Sequence, residues 1–217
     1  MIRYALFDVD ETLYPREAGV LTAVRVRIER YLVERVGLPP AEAARLRTEY
    51  LERYGTTLAG LLANHTADAE DYLAYVHDVE VEALLQRDAA LDRALASLPW
   101  ELAVFTNADR RHAERVLDAL GIRGRFQRIF DITGLGYRQK PDPAVYEHVL
   151  AELGVPGEAC LLVEDSLRNL LPAKAWGMTT VWVGPGAVPT EGVDYCIAGV
   201  AGIAGVAADI AARNGQA

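Results

Sequence analysis

The sequence predicts an α/β fold, in which a parallel sheet carries helices on both faces and a block of helices is inserted after the first strand. Three patterns along the 217 residues indicate it. An apolar run at 4–7 is followed, from about Glu17 to Leu95, by a helical pattern rich in Ala, Leu, Glu and Arg. After Pro99, short apolar runs alternate with helical segments. This alternation favours parallel strands joined by right-handed crossovers.

Each predicted strand is a short apolar run bounded by turn or helix signals. The run at 102–105 is continuous, as expected for a strand that is buried on both faces. Besides the opening run at 4–7, further strands are predicted at 128–130, 160–163, 179–183 and 195–197.

The inserted block is predicted to contain several helices. Its first helix is indicated by apolar residues that recur at helical spacing: Val20, Val24, Ile28, Tyr31 and Leu32. A second helix is expected over 41–54, begun by Pro40. The segment 55–60 is expected to be a break between helices, and Asp68 begins a further helix.

After the insert, a glycine directly follows each predicted helix, as is common at helix C-termini. These helices are expected over 112–120, 143–153 and 167–176. We therefore expect residues 1–15 and 93–217 to form the α/β core and residues 16–92 to form a helical cap over the strand ends.

Composition argues against several partners. The net charge of −9 is spread along the chain, which disfavours a nucleic-acid polymer as partner. No apolar run approaches the ~20 residues of a membrane span, and no charged-then-apolar leader opens the sequence. We therefore expect no membrane association and a cytoplasmic location. Of the two cysteines, Cys160 lies in an apolar run and is expected to be a buried thiol.

Two aspartates follow the first predicted strand. Asp8 and Asp10 are two positions apart, so on an extended segment their side chains share a face. Open parallel sheets place their active sites at this carboxyl end of the strands. One carboxylate as nucleophile and the other as proton shuttle is the chemistry that this pair indicates. The alternative is a turn cap or a cation-binding loop.

Three further loops after predicted strands carry polar residues toward the same edge. They contain Thr106 with Asn107, then Lys140, then Glu164 with Asp165. Each has a simpler explanation by itself, as a helix cap, a solvated lysine or acids at a helix N-terminus. Their joint occurrence in this order favours a single site.

In this combination the four loops resemble the motifs of the haloacid dehalogenase superfamily, and the resemblance covers nearly the whole chain. It implies a Rossmann-like core with an inserted α-helical cap. Within the superfamily, the segments 7–15, 54–61, 76–78 and 105–108, and Asn169 followed by Ala173-Lys174, are similar to the pyrimidine 5′-nucleotidase branch. That branch hydrolyses nucleoside monophosphates, typically UMP and CMP.

The resemblance implies a role for each loop. Asp8 attacks phosphorus and forms an aspartyl phosphate, and Asp10 protonates the leaving oxygen and then activates water. Thr106, Asn107 and Lys140 bind the phosphate oxygens.

The resemblance also implies a cofactor and a substrate class. Mg²⁺ is held by Asp8, the backbone carbonyl of Asp10 and Asp165. Glu164 stands where the branch commonly has Asp, so it is expected to contact the metal-bound waters instead of the metal. The implied partner is a small phosphorylated substrate, a nucleoside monophosphate.

Cap residues are the candidates for substrate selection. Possible contacts are Tyr54, Thr56, Thr57 and His77. His112 and His148 lie on predicted core helices and are expected at the surface or in packing.

Several alternatives stay open at this point. A related enzyme would hydrolyse phosphoglycolate or a sugar phosphate, and a phosphomutase uses the same four loops. Asp10 argues against the dehalogenase branch, which attacks carbon and needs no such acid. From other classes, a phosphoaspartate signalling protein would hold a stable acyl phosphate, and a non-catalytic nucleotide binder would not need both aspartates.

Overall fold

The computed structural model describes residues 1–214, and these contain a six-stranded parallel sheet. The order across the sheet is β3-β2-β1-β4-β5-β6, and every neighbouring pair is parallel. The chain thus reverses its direction of winding between β1 and β4, where α/β sheets open a binding crevice. The strands are β1 Tyr4–Phe7, β2 Glu101–Phe105, β3 Phe126–Phe130, β4 Cys160–Glu164, β5 Thr179–Val183 and β6 Tyr195–Ile197. The predicted α/β fold is confirmed.

The described residues also form ten α-helices, and the first six lie between β1 and β2. These six are α1 Val20–Glu34, α2 Pro40–Tyr54, α3 Thr57–Asn64, α4 Ala69–Val76, α5 Val81–Leu84 and α6 Ala89–Ala96. The other four are α7 Arg110–Leu120, α8 Pro143–Leu153, α9 Leu167–Ala175 and α10 Ile203–Asn214. Within residues 1–214, none of these helices combines the length and the apolar character needed to cross a membrane.

Alternate residues of the strands belong to two separate hydrophobic clusters, one on each face of the sheet. Phe7 points into the cluster that contains α6, α7, α10 and the insert, while Leu6 points into the cluster formed with α8 and α9. Both side chains are fully buried. Cys160 is buried as expected, in the second cluster. The helices therefore cover both faces, as the continuous apolar strands require.

The predicted break over 55–60 is shorter than expected. Thr56 caps α3, its Oγ1 accepting a hydrogen bond from the N–H of Ala59 at 3.1 Å, so the helix already begins at Thr57. Gly60 is thus inside α3. A Cβ at this position would lie 2.2 Å from the ring of Tyr50, so the glycine permits the close approach of α3 to α2 rather than a turn.

The insert is attached to the sheet-forming part of the chain by main-chain contacts. Arg168, in the first turn of α9, donates to the carbonyl oxygens of Leu51 and Glu52 at 2.7 and 2.8 Å. Arg115 of α7 donates to the carbonyl oxygens of His77 and Val79 at 3.2 and 2.6 Å. Helices α1 to α4 are thereby held beside the carboxyl ends of the strands. The boundary expected at residue 92 falls within α6, and the division into core and cap stays a prediction.

Candidate active site

The loop after β1 is anchored to the loop after β4. The N–H of Asp8 donates to the carbonyl oxygen of Val163 at 3.0 Å, which continues the sheet pairing by one residue. Thr12 Oγ1 donates to Asp8 Oδ2 at 3.0 Å and accepts from the N–H of Asp165 at 3.1 Å. The two acidic loops are therefore held in register, as the shared sheet edge predicts.

Lys140 lies at the centre of this cluster, and its side chain is completely buried. Its ammonium group donates to Asp8 Oδ1 at 2.9 Å, to Glu164 Oε2 at 2.6 Å and to the carbonyl oxygen of Phe105 at 2.7 Å. These three bonds use all three of its protons. Burial opposes the charge, but Asp8 and Glu164 outweigh it and hold the pKa of Lys140 above its ordinary value. The solvated-lysine explanation is therefore wrong.

The side-chain amide of Asn107 binds the main chain of Lys140. Its Oδ1 accepts from the N–H of Lys140 at 2.8 Å, and its Nδ2 donates to the carbonyl oxygen of the same residue at 3.0 Å. The side-chain amide is therefore engaged by the main chain of Lys140 and is not free for the phosphate contact predicted for Asn107. Thr106, also buried, borders the cavity above the cluster, and its Oγ1 accepts from the N–H of Ala108 at 3.0 Å.

Three carboxylates converge beside Lys140. Asp8, Glu164 and Asp165 each offer an oxygen, and these oxygens lie within 4.8 Å of one another. Burial, reinforced by neighbouring carboxylates, raises the pKa of Asp8 and of Glu164 to about 7 and that of Asp165 to about 6. Carboxylates that repel one another in this way are a suitable donor set for a hard divalent cation.

Glu164 accepts hydrogen bonds at both of its oxygens. Its Oε2 accepts from Lys140, and its Oε1 accepts from the N–H of Ser166 at 3.1 Å. Asp8 is engaged in the same way, by Lys140 at Oδ1 and by Thr12 at Oδ2. The hydrogen bonds therefore leave Asp165 as the least engaged of the three carboxylates, and the division of Mg²⁺ contacts between Asp8 and Glu164 stays a prediction.

Asp10 is held by two donors. The hydroxyl of Tyr14 and Nε2 of His112, the latter at 2.9 Å, both contact its Oδ1. Burial would raise the pKa of Asp10, but the neighbouring His112 imidazole and the Tyr14 hydroxyl lower it to about 2. Burial alone would lower the pKa of His112, but the neighbouring Asp10 carboxylate raises it above the ordinary value.

His112 is a residue that sequence reasoning missed. It was expected at the surface or in packing, but its side chain is fully buried against Asp10. The available signal was its position in the first turn of α7, directly after the loop of Thr106 and Asn107, because such a turn lies at the strand ends. His148 is half exposed and pairs with Glu152 at 3.0 Å, so the expectation holds for that residue.

His77 belongs to the insert and contacts His112 beside Asp10. Its ring stacks on the ring of His112, with centroids 4.4 Å apart and planes 24° apart. Its Nδ1 lies 2.6 Å from Oδ2 of Asp109, the residue that caps α7. Burial and the adjacent His112 lower the pKa of His77.

Glu11 connects the loop after β1 to the insert through ion pairs. It takes a left-handed conformation with φ of 60°, which is uncommon for a residue with a side chain. Its buried carboxylate lies 2.8 Å from Arg16 and 3.4 Å from Arg25 of α1. The first turn after Asp10 is thereby linked to the start of the inserted helices.

A cavity of about 530 Å³ lies between these loops and the insert. Asp8, Asp10, Thr106 and Asp165 border it on one side. The insert supplies the opposite wall, which includes apolar residues of α1 and α4 and the arginine side chains of residues 16, 25 and 47.

The structure brings three of the four predicted cap contacts to this cavity. Thr56, Thr57 and His77 border it. The Tyr54 hydroxyl instead accepts a hydrogen bond from Asn64 at 2.9 Å, and its ring packs edge-on against Tyr50. Tyr54 ends α2, so its side chain packs across the α2–α3 turn, and a substrate contact for it is not supported.

Comparison with known proteins agrees with this arrangement. Residues 2–177 match the family described as haloacid dehalogenase-like hydrolase. The chain belongs to this family. The match covers both aspartates of the first loop, the lysine loop and the acidic pair, so the resemblance drawn from the four motifs is confirmed.

Named proteins similar to this haloacid dehalogenase-like hydrolase include phosphatases. A phosphoglycolate phosphatase of Rhodospirillum rubrum is 31% identical over 199 residues, which are 83% of this chain and 79% of that protein. Phosphate metabolism protein 8 of Saccharomyces cerevisiae is 27% identical over 190 residues, or 79% of this chain. The aligned part spans only 58% of the yeast protein's length.

The fold is also that of solved structures in the superfamily. A HAD phosphatase from Thermococcus onnurineus superposes with a TM-score of 0.65, covering 94% of this chain and 97% of that one. The two sequences are 20% identical, so this likeness concerns the fold alone.

Proposed function

We propose that this protein is a phosphomonoester hydrolase that uses Mg²⁺ and forms an aspartyl phosphate on Asp8, with a pyrimidine nucleoside monophosphate as its preferred substrate. The observation that carries the proposal is the buried cluster of Asp8, Lys140 and Glu164 beside Asp10, at one side of a large cavity. A carboxylate nucleophile, a fixed cation and a second carboxylate are the groups that phosphoryl transfer through an acyl phosphate requires.

The nucleophile is prepared by its neighbours. Lys140 donates to Asp8 Oδ1, which favours the ionised form against the effect of burial. Attack by Asp8 on phosphorus forms the Asp8–phosphate bond and breaks the bond to the leaving oxygen. Thr106 borders the cavity and would hold a phosphate oxygen. The phosphate contact predicted for Lys140 is not supported, because its three protons are already bonded to oxygens of the protein. Mg²⁺ held by Asp8, Asp165 and the Asp10 carbonyl would supply the positive charge that lets an anionic nucleophile approach an anionic ester.

Asp10 transfers the protons in both half-reactions. A proton from Asp10 goes to the leaving oxygen in the first step. In the second step Asp10 takes a proton from water, and the water oxygen attacks phosphorus. The Asp8–phosphate bond then breaks, which releases inorganic phosphate and restores Asp8. The free carboxylate is ionised near neutral pH, because its pKa is about 2. A bound phosphate dianion raises that pKa through charge repulsion, as the acid role requires.

The size and lining of the cavity support a nucleotide. A volume of about 530 Å³ is in the range of sites that enclose drug-sized ligands. A two-carbon phosphoglycolate would leave most of it unfilled, whereas a base and a ribose would reach the wall formed by the insert. Thr56, Thr57 and His77 lie on that wall and belong to segments that resemble the pyrimidine nucleotidase branch.

The names of the relatives favour a second candidate. Phosphoglycolate phosphatases from several bacteria are 26–31% identical to this chain. The arginines that border the cavity, Arg25 and Arg47 among them, would suit the carboxylate of that substrate. A small phosphorylated acid is therefore the alternative to a nucleotide.

A panel of phosphate esters tests both candidates. Phosphate release would be measured for UMP, CMP, AMP, 2-phosphoglycolate and glucose 6-phosphate, each with Mg²⁺ and with EDTA, and Asp8→Asn serves as the blank. We expect Mg²⁺-dependent turnover with kcat/KM highest for UMP or CMP. A higher value for 2-phosphoglycolate would select the second candidate. No Mg²⁺-dependent hydrolysis of any ester would contradict the phosphatase proposal itself.

A further inference from the structure

Asp10 is oriented by hydrogen bonds to one of its two oxygens. A carboxylate can only accept, so the hydrogen in the contact of 2.9 Å between His112 Nε2 and Asp10 Oδ1 is on the imidazole. The Tyr14 hydroxyl donates to the same oxygen. Two donors on Oδ1 fix the plane of the carboxyl group and keep Oδ2 as the oxygen that can meet a leaving group in the cavity that Asp10 borders.

His112 is held through both its main chain and its ring. Its main-chain N–H donates to Oδ1 of the helix cap, Asp109, at 2.9 Å. The other oxygen of Asp109 lies 2.6 Å from Nδ1 of His77, whose ring stacks on the His112 ring. The cap therefore fixes the first turn of α7, and the His77 ring from the insert packs on the imidazole that contacts Asp10.

Packing alone does not explain an imidazole at this position. Its Nδ1 is buried and has no hydrogen-bond partner among residues 1–214. Leaving a buried polar atom unpaired is unfavourable, and an apolar side chain would fill the same space without that loss. The contact with Asp10 is the interaction that offsets it.

We propose that His112 is a positioning residue, which holds Asp10 in the orientation needed to protonate the leaving oxygen. This inference rests on the phosphatase function proposed above. Misplacing a catalytic group by about 1 Å can lower a rate ~10²-fold. The loss should depend on the leaving group, because an alkoxide needs a proton from Asp10 and a nitrophenolate does not.

Two variants of one residue separate orientation from packing. His112→Leu fills the space but cannot donate. His112→Gln places an amide N–H near the position of Nε2. Steady-state kcat would be measured with Mg²⁺ for glycerol 2-phosphate and for 4-nitrophenyl phosphate, which carry a poor and a good leaving group.

For His112→Leu we expect a ~30- to 100-fold loss on glycerol 2-phosphate and a loss of about 3-fold or less on 4-nitrophenyl phosphate. His112→Gln should recover most of the activity on glycerol 2-phosphate. Tyr14→Phe, which removes the other donor to Oδ1, should show the same selective loss and serves if His112→Leu does not fold. His148→Leu, at a half-exposed position on α8, is the matched control and should match the unmodified protein on both esters.

Each other outcome overturns the inference. Equal losses on both esters would mean that His112 supports the fold of the site and not the acid. No loss in His112→Leu, or no recovery in His112→Gln, would remove the role of the Nε2 donor. If the unmodified protein hydrolyses neither these two esters nor any ester of the panel above with Mg²⁺, the proposed function itself fails, which is a distinct result.

Discussion

The two sides of the cavity are built in opposite ways. On the side of the strands, Asp8, Lys140 and Glu164 are buried and hold one another through bonds of 2.6 to 2.9 Å. On the side of the insert, polar groups are spread over an apolar wall and form partly exposed pairs, such as that of Arg47 with Glu29 at 2.9 Å. The difference fits two functions: a buried, interlocked cluster suits the chemical step, and separate polar groups on an apolar wall suit the choice of substrate.

The largest effect is expected at the nucleophile. Asp8→Asn keeps the size of the side chain but replaces the carboxylate by a poor nucleophile. We expect a loss of at least ~10³-fold in kcat on every phosphate ester. The measurement is phosphate release, with circular dichroism melting to show that the fold is retained. Activity above a few per cent of the unmodified protein would exclude Asp8 as nucleophile.

Removing the cation should damage both folding and activity. Lys140→Met keeps the length of the side chain but leaves the carboxylates of Asp8 and Glu164 without their cation. Because removing one partner of a buried ion pair leaves the other charges uncompensated, we expect the free energy of unfolding to fall by about 3–5 kcal/mol. Denaturant unfolding measures this loss, and phosphate release should show a loss of at least ~10²-fold.

A surface ion pair is the matched control for that change. Lys174 pairs with Asp194 at 2.5 Å, and its side chain is 45% exposed. Lys174→Met should therefore cost about 1 kcal/mol or less. If the two lysine variants are destabilised equally, the buried cluster is not the special feature that we describe.

Mg²⁺ should stabilise the fold more at high pH than at low pH. Burial and charge repulsion raise the pKa of Asp8 and Glu164 to about 7 and that of Asp165 to about 6. Between about pH 4 and pH 7 the folded chain keeps protons that an unfolded chain releases, so these groups make stability fall as the pH rises. Bound Mg²⁺ reverses that loss, because it requires the ionised carboxylates.

Unfolding with Mg²⁺ or EDTA at pH 5 and pH 8 measures this effect. With Mg²⁺ at 100 times its Kd we expect a gain of about 2.7 kcal/mol at pH 8 and a much smaller gain at pH 5. Asp165→Asn should lose the gain, while Asp209→Asn, on α10, should keep it. An equal gain at both pH values would contradict the assignment of these carboxylates to the metal.

The smallest changes are expected on the wall of the insert. Thr56→Ala, Thr57→Ala and His77→Ala should each cost about 1–3 kcal/mol in kcat/KM for UMP or CMP, if a substrate group loses its partner. A small phosphate ester should lose least. Tyr54→Phe is the control, because that hydroxyl bonds to Asn64. Parallel losses on all substrates would mean that these residues support docking of the insert.

Local pattern was enough to predict the strands and most helices. The continuous apolar runs became strands buried on both faces, because such runs are stable only between two layers of helices. Helix α3 was not predicted, because residues 55–60 were expected to be a break between helices. Gly60 lies inside α3, where the ring of Tyr50 from α2 occupies the space that a side chain would need.

Local sequence patterns were sufficient to predict the sheet, the insert and the four loops that meet at one edge, because strand periodicity and motif order are local properties of the chain. The contacts that each side chain makes within those loops became known only from the folded structure. The pairing of Lys140 with Glu164, the use of the Asn107 amide on the Lys140 backbone, and the contact of His112 with Asp10 join residues that are 24, 33 and 102 positions apart. Hydrogen bonds at such separations depend on how helices and loops pack against the sheet, and no spacing along the chain encodes them.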